Sequence, residues 1–359
     1  MSKYQRPNIR RVDGYSWGEQ PQDRQTIKLN TNENPYPPSP AVADALSNFT
    51  AAELRTYPQP TADVMREHIA KLHDLSTRQV VVTHAGDEAL RLAITTYVSP
   101  GSTFASTDPC YSLYPVLAQI QDARTLRVEL EANWSIPPDF PAQARAADAQ
   151  LTCLVNPHAP SGYLTPVEQL HRIAEEISGV LLIDEAYADF VDPKIGYTSR
   201  ELVTQHDNVL VLRTFSKGYS LAGLRLGYLL GAEELITPII EKTRDTYNID
   251  AISQSLGIAA LRDQDYARAT WEKVREQRQF LAQTLNDLGW SCLASEGNFL
   301  LSTPPPNSIG AAEIYKRLKA EGILVRYFDH PRLHDKLRIS IGTKEQNQVL
   351  LENLRHLCR

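Results

Sequence analysis

Residues 208–218 read Asn208-Val209-Leu210-Val211-Leu212-Arg213-Thr214-Phe215-Ser216-Lys217-Gly218. The unbroken apolar run Val209–Leu212 fits a strand covered on both faces, the habit of parallel sheets, better than one that alternates between core and water. Polar residues follow at once, so Ser216 and Lys217 stand at the mouth of that strand. Arg225 lies eight residues beyond Lys217, in Leu221-Ala222-Gly223-Leu224-Arg225-Leu226-Gly227. A lysine kept among apolar walls and cationic neighbours holds part of its amine neutral, and a neutral amine attacks carbonyls. With a hydroxyl and an arginine beside it, the carbonyl it suits is that of a phosphorylated aldehyde. Taken alone, the motif also fits a plain loop lysine after a strand.

The same texture recurs on both sides. Gln79–Thr83, Leu151–Val155 and Val180–Ile183 are further short apolar runs, and Leu90, Ala93, Ile94, Tyr97 and Val98 recur at helical spacing between the first two. Thr165-Pro166-Val167-Glu168 predicts a helix start, with Thr165 as cap, Pro166 in the first turn and Glu168 closing a capping box. Val167, Leu170, Ile173 and Ile177 would be its buried stripe and Gly179 its stop. Apolar strands separated by amphipathic helices predict an α/β fold with a mostly parallel central sheet covered by helices. Past residue 255 the pattern changes to a long charged helix over Asp263–Leu288. Short strands follow near Phe299–Leu301, Ile323–Arg326 and Leu337–Ser340, with a helix over Ala311–Ala320. The expected division is an N-terminal arm (1–40), a large domain (41–255) and a smaller α+β C-terminal domain (256–359). In the arm, Pro35-Tyr36-Pro37-Pro38-Ser39-Pro40 excludes a regular element, while Tyr15, Trp17 and Leu29 predict packing on the body.

Bulk composition bounds the function classes. The 359 residues are 42% hydrophobic and 22% charged, with a formal net charge of −6. Nothing there favours a nucleic-acid or membrane partner. Cys110, Cys153, Cys292 and Cys358 are scattered without metal-type spacing, which fits a reducing cytoplasm. The N-terminus lacks the apolar region of a secretory signal, and no apolar run reaches the roughly 20 residues a membrane helix needs.

Functional groups of parallel α/β sheets gather beyond the carboxyl ends of the strands, and the chemically capable residues fall at such ends. Thr83-His84-Ala85-Gly86-Asp87-Glu88 joins a strand to a helix, where small residues and free N–H groups can receive an anion. The same segment also reads as a tight turn with Asp87 as a first-turn acid. Asp184 directly follows an apolar strand, where a carboxylate can keep a pyridine nitrogen protonated or simply cap a helix. Tyr187 can donate to a phenolic oxygen, and Tyr111, in Asp108-Pro109-Cys110-Tyr111, can stack on a ring or sit in the core. Ser216 and Arg225 suit a phosphate. Arg338, in Leu337-Arg338-Ile339-Ser340, and Arg326 suit an anionic substrate group or a solvated ion pair. Aldehyde, pyridine nitrogen, phenolic oxygen and phosphate together are the groups of pyridoxal phosphate.

These motifs, in this order, resemble the histidinol-phosphate aminotransferase family of fold-type-I, class II, pyridoxal-phosphate enzymes, nearly end to end. The matching segments are Leu29-Asn30-Thr31-Asn32-Glu33-Asn34-Pro35, Arg55-Thr56-Tyr57-Pro58, Asp184-Glu185-Ala186-Tyr187, Thr214-Phe215-Ser216-Lys217, Leu221–Gly227 and Leu337–Thr343. The resemblance implies transamination between L-histidinol phosphate and 2-oxoglutarate, in the cytoplasm, within histidine biosynthesis. It makes Lys217 the cofactor-bearing acid–base, Asp184 the pyridinium partner and Tyr187 the phenolate partner. Tyr111 would stack on the ring, and Ser216, Arg225 and the turn Ala85-Gly86-Asp87 would hold the phosphate. Tyr57 would reach the cofactor of a second subunit, which implies a homodimer, and Tyr15, Asn34, Arg326 and Arg338 would surround the substrate. Two departures stand out. The family's Asn-Asn-Pro-Thr-Gly is replaced by His158-Ala159-Pro160-Ser161-Gly162, so a donor to the phenolic oxygen is absent at Ala159 and falls to His158, Asn156 or Tyr187 alone. His84 also stands where members have Asn or Arg. Another amino-acid aminotransferase, aromatic or otherwise, a decarboxylase of a phosphorylated amino acid, and a non-catalytic effector-binding protein of the same fold are the other readings.

Overall fold

The structure, a computed structural model, describes residues 2–21, 23 and 25–357; Cys358 lies outside them. In chain order the strands are β1 (Ile27–Lys28), β2 (Val80–Thr83), β3 (Thr103–Asp108), β4 (Arg124–Glu129), β5 (Ala149–Val155), β6 (Val180–Asp184), β7 (Val209–Thr214), β8 (Gly227–Gly231), β9 (Ser291–Cys292), β10 (Phe299–Thr303), β11 (Ile323–Leu324), β12 (Arg326–Tyr327) and β13 (Leu337–Ser340). Seven of them form the central sheet, ordered β2-β8-β7-β6-β5-β3-β4. β8 is antiparallel to both neighbours and every other pair is parallel.

The apolar run Val209–Leu212 explains this placement. Val209 and Val211 point into one core layer with Leu181, Ile183 and Phe215, and Leu210 and Leu212 into the other with Leu182 and Leu229. A strand that feeds two cores is buried on both faces, and each such side chain contributes about 1.5–3 kcal/mol through burial. A third core lies in the C-terminal part. There Leu300, Leu337 and Ile339 pack against Val274, Leu281, Leu318 and Leu350 from helices Gln264–Asp287, Ala311–Ala320 and Lys344–Leu357. Its antiparallel sheet runs β12-β13-β10-β9.

Several local expectations are corrected. The helix after Thr165 spans Val167–Glu176 with no side-chain cap. Thr165 instead exchanges backbone bonds with the Asn156 side chain, donating at 2.8 Å and accepting at 3.2 Å. Gly179 does not end that helix; it is required because a Cβ there would lie 2.3 Å from the Ala149 carbonyl oxygen. The proline-rich segment does start an element, since Pro40 opens helix Pro40–Asn48 with Ser39 Oγ accepting from the Ala41 N–H. In the arm Leu29 is buried but Trp17 is 76% exposed. The run Ile323–Arg326 divides between two sheets: β11 pairs in parallel with β1, and β12 pairs antiparallel with β13.

Candidate active site

The ends of β6 and β7 supply the centre of the site. Asp184 is the last residue of β6 and is buried. It accepts from the Tyr114 hydroxyl at 2.7 Å and from the Ala186 N–H at 3.1 Å. Burial pushes its pKa up to about 6, and those two hydrogen bonds oppose the rise. Lys217 follows β7, and its Nζ donates to the Thr31 carbonyl at 2.7 Å. Burial lowers its pKa to about 8; Arg338, Lys28 and Arg225 push the same way, and Glu33 opposes them. Glu33 is itself tied to Lys28 by an ion pair and to the Thr31 hydroxyl at 2.7 Å.

The turn before helix Ala85–Tyr97 is built for close approach. Ala85 has φ +64°, held by the Thr83 hydroxyl donating to its carbonyl at 2.9 Å. A Cβ at Gly227, where β8 begins, would lie 2.9 Å from Ala85 C and 3.1 Å from Gly86 N, so only glycine lets β8 pass beneath the turn. No side chain caps this helix, which leaves first-turn N–H groups and the positive dipole end for an anion. Arg225, also left-handed at φ +58°, reaches Asp87 at 3.1 Å. Ser216 Oγ accepts from the Thr214 hydroxyl at 3.0 Å.

Aromatic rings wall the site. Tyr111 meets Tyr114 edge-on at 5.6 Å and Tyr15 at 5.8 Å, and its hydroxyl lies 3.4 Å from Asp87. Tyr187 packs edge-on against Phe299 at 5.0 Å, and the Asn32 amide donates to its hydroxyl at 3.1 Å. Burial raises the pKa of both tyrosines.

Arg326 and Arg338 are register partners across β12 and β13. Arg338 lies 5.5 Å from the Phe299 ring and 5.4 Å from that of Phe328, and donates to the Asn30 carbonyl at 2.8 Å. Its Nε is buried without a partner. Arg326 lies 5.2 Å from Phe328. Among the described residues neither arginine forms an ion pair. Burial lowers the pKa of Arg338, and Arg326 adds to the effect. Two such guanidinium groups side by side can receive an anion.

Two residues singled out from sequence stand apart. Tyr57 is 80% exposed and stacks on Tyr247 at 4.6 Å. The Asn34 amide donates to the Gly218 carbonyl at 3.2 Å and to Thr270 at 3.4 Å, so it braces the loop after Lys217. Other residues in the site went unnoticed in the sequence: Asn32, Tyr114, Glu33 and Phe328. Asn32 and Glu33 lie within a quoted motif, but nothing in that motif says which of its polar side chains turns inward. His158 and Asn156, both before Ala159, are engaged elsewhere. His158 bonds Ser161 Oγ at 2.7 Å and the Pro109 carbonyl at 2.9 Å. The Asn156 amide donates to the Thr165 carbonyl and to the Tyr197 hydroxyl.

Anion cradle, depressed lysine, buried carboxylate and ring-lined walls fit a phosphorylated pyridine aldehyde. Comparison with known proteins agrees. The family model "Aminotransferase class I and II" matches residues 24–354. The chain is 41% identical to histidinol-phosphate aminotransferase 1 of Trichormus variabilis, over 100% of both chains. It is 40% identical to histidinol-phosphate aminotransferase of Geotalea daltonii, over 95% of each. The solved structure of histidinol-phosphate aminotransferase from Sinorhizobium meliloti, in complex with pyridoxal-5'-phosphate, superposes with a TM-score of 0.91 at 24% identity, covering 100% of this chain and 98% of that one. Sequence match, fold and site geometry together place this chain in the class I and II aminotransferase family.

Proposed function

We propose that this chain is a pyridoxal-phosphate-dependent aminotransferase that moves the amino group of L-histidinol phosphate to 2-oxoglutarate, giving imidazole acetol phosphate and L-glutamate. Full-length identity of about 40% to enzymes named for that activity supports the substrate. The structural observation that carries it is the pair Arg326–Arg338, which has no carboxylate partner among the described residues and whose Arg338 acts on both Lys217 and Tyr187. One anion site of this kind accepts a phosphate in one half-reaction and a carboxylate in the other.

When bound, pyridoxal phosphate supplies an electron sink conjugated to the substrate's amino group. The chain's residues do the rest. Lys217, with its pKa near 8, would carry the cofactor, take the proton from the substrate's α-carbon and deliver it to the cofactor's C4′. Asp184 keeps the ring nitrogen protonated; a cationic partner favours its charged form and offsets the burial that raises its pKa. Tyr187 donates to the phenolic oxygen and Tyr111 stacks on the ring. Ser216, Arg225 and the N–H groups of Ala85–Asp87 hold the phosphate. Tyr15 closes over Tyr111, and Asn34 fixes the loop that presents Lys217.

The active unit in this reading is a cytoplasmic homodimer, with the exposed Tyr57 and Leu54 on the surface that meets the second copy. No described helix is long and apolar enough to cross a membrane, and the three described cysteines are unpaired.

Mixing the cofactor-loaded protein with L-histidinol phosphate alone tests the proposal. The expected result is loss of the visible absorbance, restored by 2-oxoglutarate. Absence of bleaching with histidinol phosphate, together with bleaching by phenylalanine, would move the assignment to an aromatic aminotransferase.

A further inference from the structure

We propose that Asn32 is a positioning residue that aims the Tyr187 hydroxyl at the cofactor's phenolic oxygen, for which the alanine side chain at position 159 offers no donor. The inference rests on the reading that the cofactor ring lies against Tyr187.

The geometry is specific. Asn32 is buried and left-handed, at φ +56°, a conformation that asparagine, aspartate and glycine tolerate best. Every polar group of the residue is engaged. Its N–H donates to Ser340 Oγ at 2.9 Å, and the Ser340 hydroxyl donates back to Asn32 Oδ1 at 3.0 Å. Its carbonyl accepts from the Asn298 amide at 2.9 Å. That reciprocal pair turns the remaining group, Nδ2, onto the Tyr187 hydroxyl at 3.1 Å. Since the amide donates, it occupies a lone pair of the tyrosine oxygen and leaves the tyrosine's own proton free to donate. No described residue accepts that proton.

Nothing else replaces it. Ala159 has no donor, His158 bonds Ser161 and Pro109, and Asn156 bonds Thr165 and Tyr197. Ser340 lies on β13, two residues from Arg338, so the chain Ser340–Asn32–Tyr187 also ties the cofactor's oxygen to the strand that carries the substrate arginine. The charged and titratable groups facing Tyr187 are Arg338 from β13, Asp184 from β6, Tyr15 from the arm and Tyr111.

The test is the pH at which the bound cofactor's visible absorbance switches between its two forms, in a two-by-two set: parent, Asn32→Asp, Tyr187→Phe and the double variant. A carboxylate at position 32 draws the tyrosine proton to itself and removes it from the phenolic oxygen. The midpoint of Asn32→Asp is expected to rise by about one pH unit, the size of one lost charge-assisted hydrogen bond. In the Tyr187→Phe background the same change is expected to add much less, which separates the loss of the donor from the added charge. Equal shifts in both backgrounds, or no shift in the parent, would overturn the proposal. If Tyr187→Phe alone left the midpoint unmoved, the placement of the ring against Tyr187 would fail instead, and this inference with it. Asn32→Gly, uncharged and suited to the same φ, is the second variant should the aspartate not fold. It is expected to shift the midpoint upward by a smaller amount, and only while Tyr187 is present; an equal shift in both backgrounds would overturn the proposal.

Discussion

Arg213 and Arg338 both lie largely inside the protein, and their surroundings treat them oppositely. Arg213, in β7, sits between the carboxylates of Glu185, at 3.0 Å, and Asp189. Burial works against its charge, but those carboxylates outweigh it and hold its pKa above the ordinary value. Arg338, in β13, has a carbonyl, two aromatic faces and an unpartnered Nε, and its pKa is pushed down. A buried ion pair is complete within the chain and fixes structure. A buried arginine without a counter-charge is completed by something that arrives. The contrast separates scaffold from receptor more sharply than burial alone, since burial is common to both.

The largest effect should come from Lys217, on which Arg338 acts. Lys217→Ala is expected to lower the rate of glutamate formation by more than about 10⁴-fold, with the denaturant midpoint little changed. Retained turnover would show that the lysine is not the acid–base. Next, Arg213→Met leaves Glu185 and Asp189 buried without a cation. It should cost about 3–5 kcal/mol in urea unfolding; a cost below about 1 kcal/mol would mean that the carboxylates relax or protonate freely. A third measurement couples the two regions. The amine of Lys217 must be neutral to capture the cofactor, and its pKa is about 8. The capture rate of cofactor-free protein should therefore rise with pH, by about tenfold per unit at most, and level off above about 8. Because Arg338 helps to hold that pKa down, Arg338→Met should move the profile to higher pH. The smallest effect is on stability: Arg338→Met strands no counter-charge and should change unfolding free energy by less than about 1 kcal/mol, in contrast to Arg213→Met.

The sequence carried the scaffold better than the receptor. β2, β5, β6 and β7 were legible because strands buried on both faces must be apolar throughout. β3, Thr103–Asp108, is equally buried but polar, and was not legible. Its Ser106 hydroxyl is satisfied by the Cys153 carbonyl at 2.9 Å, a long-range bond that no local pattern reveals. β8 carries two glycines, which lower strand propensity, yet Gly227 and Gly231 are needed where neighbouring atoms would collide with a Cβ. At the site, the residues at strand ends were readable from their position: Asp184, Lys217 and the turn at Ala85; Arg338 lies inside β13 instead. Asn32 and Tyr114 were not. Tyr114 belongs to a helix whose other buried residues, Leu117 and Ala118, are ordinary core, and only the approach of β6 shows that its hydroxyl holds Asp184.

In the proposed reaction Arg338 completes a site for the anionic group of both substrates. The most direct test follows the two half-reactions separately in Arg338→Met, by absorbance changes on adding L-histidinol phosphate to the aldehyde form and 2-oxoglutarate to the amine form. Both should slow, by about 10²- to 10³-fold at low substrate concentration, the cost of truncating one side of a buried charged contact. Normal rates in both would contradict the account.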